Sequence, residues 1–152
     1  MHNHEPKDYV CPFCALMRGE TPNASTDVVY HNEFVTAFLS LHQFPKNLGN
    51  TLVVPNTHFE NIFDLPTELA TELHAAVKAV AIAMKQAFQC DGVSTRQHNE
   101  PAGNQDVWHY HIHVTPRYVN DHLYGTRLES IDAVERAALA NQLRQALKLS
   151  SH

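Results

Sequence analysis

The segment 108-WHYHIHVT-115 alternates apolar and polar side chains without interruption. Successive side chains of a β-strand point to opposite faces, so the alternation predicts a strand with one apolar face for the core. The opposite face would carry the imidazoles of His109, His111 and His113 in one line. A slip of one residue would bury the imidazoles and expose the aromatic rings, and the pattern therefore fixes the register.

Three histidines on one strand face leave three interpretations open. They can form a solvated polar face, bind a metal ion, or include a catalytic nucleophile. Imidazole titrates nearest to neutral pH, so it can act as a nucleophile or an acid with little tuning. Strict alternation opposite a fully apolar set favours a functional role.

Further strands are predicted on both sides of this segment. The β-rich runs 28–30 and 34–39 flank a polar trio and predict a hairpin. Residues 52–54, stopped by Pro55, predict a short buried strand, and residues 93–99 predict another. Together with the helices described next, these strands predict an α+β fold.

Two helices are predicted from spacings of three and four residues between apolar side chains. The first runs from about Pro66 to Gln89, with Gly92 just beyond its end. The second begins after Asp132, which with Glu135 resembles a capping box. Four of its side chains are predicted to face the core: Val134, Leu139, Leu143 and Leu147.

Length and composition predict a single domain spanning residues 1–152, because 43% of the residues are hydrophobic. No run approaches the roughly 18–20 apolar residues that cross a bilayer. The N-terminal residues are polar and lack the apolar stretch of a secretory signal, so a cytoplasmic location is expected. The net charge of −5 and the scattered Lys and Arg argue against nucleic acid and membrane partners.

Cys11 and Cys14 form a Cys-x-x-Cys pair, whereas Cys90 lies near the end of the long helix and is expected to pack. In a cytosolic chain this spacing favours a metal or redox role over a structural disulfide. A zinc ligand pair, a redox pair and coincidence all remain open. A thioredoxin-like role is disfavoured because no βαβ pattern surrounds the pair.

The segment 109-HYHIHVT-115 resembles the signature of the histidine-triad family of nucleotide hydrolases and transferases. Asn99 and Gln105 before it, Pro116-Arg117 after it and the stretch 52-LVVPNTH-58 agree with the family. The resemblance runs from Cys11 to about Arg117, and it is nearest to a zinc-containing, diadenosine polyphosphate hydrolase-like branch. It implies an antiparallel sheet packed against a long helix, and two subunits paired as a homodimer.

The resemblance also implies the chemistry. His111 would attack the α-phosphorus of a nucleotide, and it must then be neutral with its proton on Nδ1. Asn99, Gln105 and His113 would bind the phosphate. The expected substrate is a purine nucleotide conjugate, either a dinucleoside polyphosphate, a nucleoside phosphoramidate or a related compound. The expected enzyme is a hydrolase of phosphorus anhydride or phosphoramidate bonds.

Zinc-containing branches of the family combine the Cys-x-x-Cys pair with two histidines. The matching residues here are Cys11, Cys14, His58 and His109. Two thiolates and two imidazoles form a closed tetrahedral set, which is typical of structural zinc. The resemblance therefore implies one structural zinc ion.

Three positions depart from the family pattern. Asn50 and Asp106 stand where many relatives carry His and a small hydroxyl residue, and His42 stands where many relatives carry a ribose-binding Asp. These departures bear on the substrate, and they keep open a nucleotide-binding sensor without catalysis. A metal-dependent hydrolase using the three strand histidines is a further alternative. The other histidines are expected to be solvated or packing residues: His2, His4, His31, His74, His98, His122 and His152.

Overall fold

The computed structural model describes residues 2–150, with two α-helices before the first strand and two long helices after the fourth and seventh strands. The elements are, in chain order, α1 (Pro12–Met17), α2 (Ala24–Asp27), β1 (Val28–His31), β2 (Val35–Leu39), β3 (His42–Gln43), β4 (Thr51–Pro55), α3 (Thr67–Phe88), β5 (Gly92–Gln97), β6 (Ile112–Arg117), β7 (Glu129–Ser130) and α4 (Ala133–Ser150). Single turns of 3₁₀ helix span Pro101–Gly103 and Leu123–Gly125. None of the described helices is both long and apolar enough to span a lipid bilayer.

Five strands form one sheet in the order β1-β2-β4-β6-β5, and every neighbouring pair is antiparallel. The short strands β3 and β7 form a separate antiparallel ribbon. The predicted hairpin of residues 28–39 is β1 and β2. The predicted α+β class, with an antiparallel sheet, a long helix and a C-terminal helix, is confirmed.

Apolar layers cover both faces of the sheet. The two long helices pack on one face, where Val53, Val80, Val114 and Leu143 are fully buried. Helix α1 covers part of the other face with a smaller cluster that includes Phe13, Phe38 and Leu52. Burial on both faces explains why the β4 sequence is apolar at consecutive positions.

The long helix agrees with its prediction to within one residue at each end. Pro66 precedes the first turn with extended backbone angles, which suits a residue at a helix start. The helix ends at Phe88, and the capping residue Gln89 has a left-handed φ of 51°, whereas Gly92 opens β5. The strand predicted over residues 93–99 is therefore observed as Gly92–Gln97.

The last helix is also confirmed, because Asp132 Oδ1 accepts a hydrogen bond from the Val134 backbone N–H at 2.7 Å. The prediction that Val134 faces the core is wrong, since its side chain is 78% exposed. The inward positions are Arg136, Ala140, Leu143 and Ala146. The other three predicted residues do face the core: Leu143 is fully buried, and Leu139 and Leu147 pack partly buried against the same cluster.

The strand predicted over residues 108–115 begins only at Ile112. Before it the chain leaves the sheet, and the Tyr110 backbone N–H donates to Phe59 O instead of to a neighbouring strand. Tyr110 and Val114 lie in the helix-covered core as predicted. Trp108 does not, because it is only half-buried and lies against His4 and Tyr9. On the opposite face, His109 is fully buried and His111 is 2% exposed, since α1 covers this face.

Candidate active site and metal centre

His111 lies one residue before β6, with its ring fixed by a local hydrogen bond. Its Nδ1 is 2.7 Å from the backbone carbonyl oxygen of His109. A carbonyl oxygen only accepts hydrogen bonds, so Nδ1 carries the proton and Nε2 keeps its lone pair. This is the tautomer that a nucleophilic imidazole needs.

Burial keeps the imidazoles of His111 and His113 neutral at pH 7. It lowers the pKa of His111 below its usual value, and the hydrogen bond to His109 and the charge of Asp106 oppose that effect only in part. Burial also lowers the pKa of His113 to about 3, helped by His111, His98 and Arg96. The Asp106 carboxylate is largely exposed and lies 3.7 Å from His111 Nε2.

A cavity of about 420 Å³ opens beside these rings. Its walls include the apolar side chains of Phe13, Leu16 and Phe38, and both His111 and His113 line it. The Phe13 ring meets the His111 ring edge to face, with centroids 5.2 Å apart. A mostly apolar cavity of this size with a few polar groups at one end suits a small organic ligand such as a nucleoside.

Two of the predicted phosphate-binding side chains are engaged in ordering a loop. Gln105 is buried, and its amide donates to the carbonyl oxygens of Glu60 at 2.6 Å and Val107 at 3.0 Å. Asn99 accepts a hydrogen bond from the Ile62 backbone N–H at 2.8 Å. The roles of both residues in phosphate binding stay predictions.

His98, expected to be solvated or packing, packs against the predicted phosphate-binding His113. Its Nδ1 donates to Gly103 O at 2.8 Å, and its ring centroid is 6.0 Å from that of His113. In the sequence, His98 is marked only by its position next to Asn99, and nothing there indicates its contact with His113. The contact arises because β5 pairs with β6 and brings the end of one strand to the start of the other.

The departures from the family pattern occupy different surroundings. Asn50 is fully buried, and its Oδ1 accepts a hydrogen bond from the Thr115 hydroxyl at 3.0 Å. Its side chain therefore joins β4 to β6 through the segment just before β4. His42, by contrast, lines the cavity.

The four predicted metal ligands meet at one point. The donor atoms of Cys11, Cys14, His58 and His109 all lie within 4.8 Å of one another. Cys11 Sγ is 3.3 Å from His109 Nδ1, and Cys14 Sγ is 3.4 Å from His58 Nδ1. Ligands at the usual Zn–S and Zn–N distances in a tetrahedron would have a sulfur–nitrogen edge of about 3.5 Å. The donor set and its spacing fit zinc.

Outer hydrogen bonds turn both histidines toward the cysteines. His109 Nε2 donates to Pro55 O at 2.9 Å, and His58 Nε2 donates to the Glu5 carboxylate at 2.6 Å. Each Nδ1 is therefore free to bind a metal ion, an arrangement common around zinc-binding histidines. Because both nitrogens of His109 are directed away from the cavity, the three strand histidines do not converge on one metal position.

The Cys14 thiol ionises only with difficulty on its own. Burial, with Cys11 as the next cause, raises the pKa of this thiol to about 11. Cys14 would therefore become a thiolate near pH 7 only with a positive charge beside it, which a zinc ion would supply.

The family model of the HIT domain matches residues 21–120. This chain belongs to the histidine-triad family. Protein hit of Bacillus subtilis is 41% identical over 108 residues, which cover 71% of each chain. An adenylylsulfatase of Arabidopsis thaliana is 26% identical over 116 residues, which cover 76% of this chain and 56% of that one.

A crystal structure of a zinc-bound histidine triad family protein from Mycobacterium smegmatis has the same fold. The match has a TM-score of 0.78 at 31% identity and covers 93% of this chain and 96% of the other. It extends beyond residues 21–120 and so takes in segments at both ends of the HIT domain. The zinc ion belongs to that protein; in this chain, the residues that could hold a metal ion are Cys11, Cys14, His58 and His109.

Removal of the Glu5 carboxylate should weaken zinc binding by this histidine-triad protein. In Glu5→Ala, His58 loses the acceptor that orients its ring, and we expect zinc affinity to fall about 10-fold or more. Competition with a chromophoric chelator measures the change. Glu68→Ala, on the exposed side of α3, is the matched control. Equal affinities in Glu5→Ala and the control would show that Glu5 does not orient His58.

Proposed function

We propose that this protein is a nucleotide phosphohydrolase or nucleotidyl transferase that cleaves its substrate at the α-phosphate through a nucleotidyl-histidine intermediate. The observation that carries the proposal is the orientation of His111. Its Nδ1–H donates to His109 O, which leaves an unprotonated Nε2 on a residue that lines a nucleoside-sized cavity.

The reaction would proceed by two displacements at phosphorus. His111 Nε2 attacks the α-phosphorus, and the bond to the leaving group breaks with its electron pair on that group. Water then attacks the same phosphorus, the N–P bond breaks, and the electron pair returns to Nε2. The net reaction adds water and yields a nucleoside monophosphate and the protonated leaving group. Two easier steps replace one difficult step, which is the usual gain of covalent catalysis.

The site would hold the substrate at two ends. The apolar cavity would take the purine, and His113 would face the phosphate beside His111, from which its ring centroid is 5.1 Å. Asn99 and Gln105 would contact phosphate only by exchanging their present partners in the loop. If Asn99 and Gln105 keep their present partners, they contribute by holding that loop in place.

The substrate we propose is an adenylyl conjugate or a similar purine nucleotide conjugate: a dinucleoside polyphosphate, a nucleoside phosphoramidate or a related compound. The likeness to an adenylylsulfatase supports conjugates of AMP. The apolar walls of the cavity support a purine, whose large flat surface buries well.

We further propose one structural zinc ion on Cys11, Cys14, His58 and His109. When bound, it would supply a closed four-coordinate cross-link with no open position for substrate. His109 would then be fixed on one side by its ligand bond and on the other by Pro55 O. Because the His109 carbonyl orients His111, a rigid His109 also fixes the nucleophile.

A second candidate function is a nucleotide sensor without turnover. One observation favours it: the Asp106 carboxylate lies 3.7 Å from His111 Nε2, where its charge repels a phosphate. Asp106 is exposed and can turn toward solvent, and for that reason we prefer the enzyme. The homodimer and the cytoplasmic location stay predictions.

Trapping the intermediate tests the proposal. Wild type is mixed with diadenosine triphosphate, adenosine 5′-phosphosulfate and adenosine 5′-phosphoramidate, and each reaction is denatured in alkali within milliseconds. Intact-mass spectrometry should show one adenylyl group per chain, and peptide mapping should place it on His111. Tight AMP binding without turnover of any conjugate would favour the sensor, and an adduct on another residue would overturn the assignment of His111.

A further inference from the structure

A second group of polar side chains shares a sheet face with His113. In the register of β5 and β6, Arg96 lies directly opposite His113, and Ser94 lies directly opposite Thr115. Directly paired residues of an antiparallel sheet point to the same face, with Cβ atoms about 5 Å apart. Arg96 is therefore the neighbour of His113 across the strands.

Two rings hold the Arg96 guanidinium. Its central carbon is 5.1 Å from the centroid of the Tyr124 ring and 5.8 Å from that of Phe44. Phe44 is buried, whereas Tyr124 is 70% exposed and covers the arginine from outside. Rings at these distances position a guanidinium by cation–π attraction without neutralising it.

The two arginines of this face differ in their charge balance. Arg117 donates from Nε and Nη2 to the two oxygens of Asp121, at 2.7 and 2.8 Å. Among residues 2–150, no carboxylate forms an ion pair with Arg96. In a chain with a net charge of −5, an arginine beside His113 without an acidic partner can bind an external anion.

Arg117 holds the Tyr124 ring against Arg96, and Ser94 fixes Arg117. The Arg117 Nη1 donates a hydrogen bond to Ser94 Oγ at 2.9 Å. The Arg117 guanidinium also lies 4.9 Å from the Tyr124 ring centroid. An exposed tyrosine fixed in this way keeps Arg96 in one orientation, as an anion-binding guanidinium requires.

We propose that Arg96 binds the anionic part of the leaving group, a phosphate or sulfate next to the α-phosphate. The proposal rests on the proposed function and names a residue for the half of the substrate that the apolar cavity does not hold. When the bond to the α-phosphorus breaks, its electron pair passes to the leaving group. A guanidinium beside that group stabilises the added negative charge by charge-assisted hydrogen bonds. An uncharged amine leaving group gains nothing from Arg96.

Two substrates with the same adenylyl half separate this role from a structural one. Diadenosine triphosphate and adenosine 5′-phosphosulfate release anions, whereas adenosine 5′-phosphoramidate releases ammonia. In Arg96→Gln, we expect kcat/KM to fall about 10-fold or more for the anionic leaving groups and to stay within about 3-fold for the phosphoramidate. A loss on the triphosphate alone would identify a phosphate site, and a loss on both anionic substrates a general oxyanion site.

Two further variants and a control accompany this comparison. Arg96→Lys keeps the positive charge and should retain more activity than Arg96→Gln on the anionic leaving groups. Tyr124→Ala removes the ring that positions the arginine, and it should lower kcat/KM for the same substrates by a smaller factor. Arg127→Gln removes an exposed arginine from the same segment and should behave as wild type. Equal losses in Arg96→Gln on all three substrates, or no loss on any, would overturn the proposal.

A binding measurement keeps the inference testable if the proposed function itself fails. Calorimetry gives the dissociation constants of AMP and ADP for wild type and Arg96→Gln. Wild type should bind ADP more tightly than AMP, and this preference should disappear in the variant. No turnover with an Arg96-dependent ADP preference would reject the enzyme and keep the anion site. Turnover without a preference for ADP, together with equal losses of kcat/KM on all three substrates in Arg96→Gln, would keep the enzyme and reject the anion site.

Discussion

Replacing His111 with alanine is expected to lower kcat/KM by about four orders of magnitude or more for whichever nucleotide conjugate the wild type cleaves best. No other imidazole in the described chain combines a proton-bearing Nδ1 fixed on a carbonyl with a place in the cavity wall. His113 lies 5.1 Å away between ring centroids, but its neighbours are His98 and Arg96 rather than an orienting carbonyl. It cannot take over as nucleophile without a change in the backbone.

Steady-state kinetics and AMP binding should be measured on the same His111→Ala preparation. The apolar walls that would hold the base are untouched, so AMP affinity should change much less than turnover. His74→Ala, on α3, serves as the control for loss of a histidine elsewhere. If His111→Ala retains more than about a hundredth of the wild-type rate, the nucleophile has been misassigned, because removing a true nucleophile costs far more.

The part of the site that the sequence revealed is the part with a local pattern. Alternation around His111 and the Cys-x-x-Cys spacing are both visible within a few residues. Alternation also predicted correctly that the Tyr110 side chain lies in the core rather than with the imidazoles. The burial of the imidazoles did not follow from alternation, because alternation assigns a side chain to a face but does not show that α1 covers that face. His111 is thus buried on the face that was predicted for it.

The contacts that could not be predicted are those between segments far apart in the sequence. Glu5 reaches His58 across 53 positions, and Arg96 meets Tyr124 through a loop whose polar composition gave no prediction. In that loop Asp121 accepts hydrogen bonds from Arg117, Asn47 and the backbone. These bonds hold its pKa far below the usual range. Nothing in the sequence distinguishes Asp121 from other acidic residues in polar segments, so its hydrogen bonds could not be predicted.

Arg136 illustrates the same limit at the other end of the chain. It lies on α4, outside the residues matched by the HIT domain, and its Nε donates to Asp27 Oδ1 at 2.9 Å. Both side chains are at least 95% buried, and both line the cavity that we propose for the nucleoside. The pair therefore ties the C-terminal helix to α2 and closes one side of that cavity.

Replacing Arg136 with alanine is expected to destabilise the protein by about 3–5 kcal/mol, the usual effect of leaving one partner of a buried ion pair without the other. For a domain of this size, that corresponds to a fall in Tm of about 10 °C. Differential scanning calorimetry checks the prediction. Arg144→Ala, which removes hydrogen bonds to the carbonyl oxygens of Thr26 and Val28 but leaves no buried charge, should have a smaller effect.

A double variant identifies the cause of that instability. Asp27→Leu combined with Arg136→Met replaces both charges with apolar side chains of similar size, and such replacements are often neutral or stabilising. The double variant should therefore melt above Arg136→Met alone, which fills the same space but leaves the Asp27 carboxylate without its partner. If the two melt together, the uncompensated Asp27 carboxylate is not the cause, and the loss in Arg136→Ala arises from packing of the Arg136 side chain. In that case α4 is held to α2 by shape and not by charge.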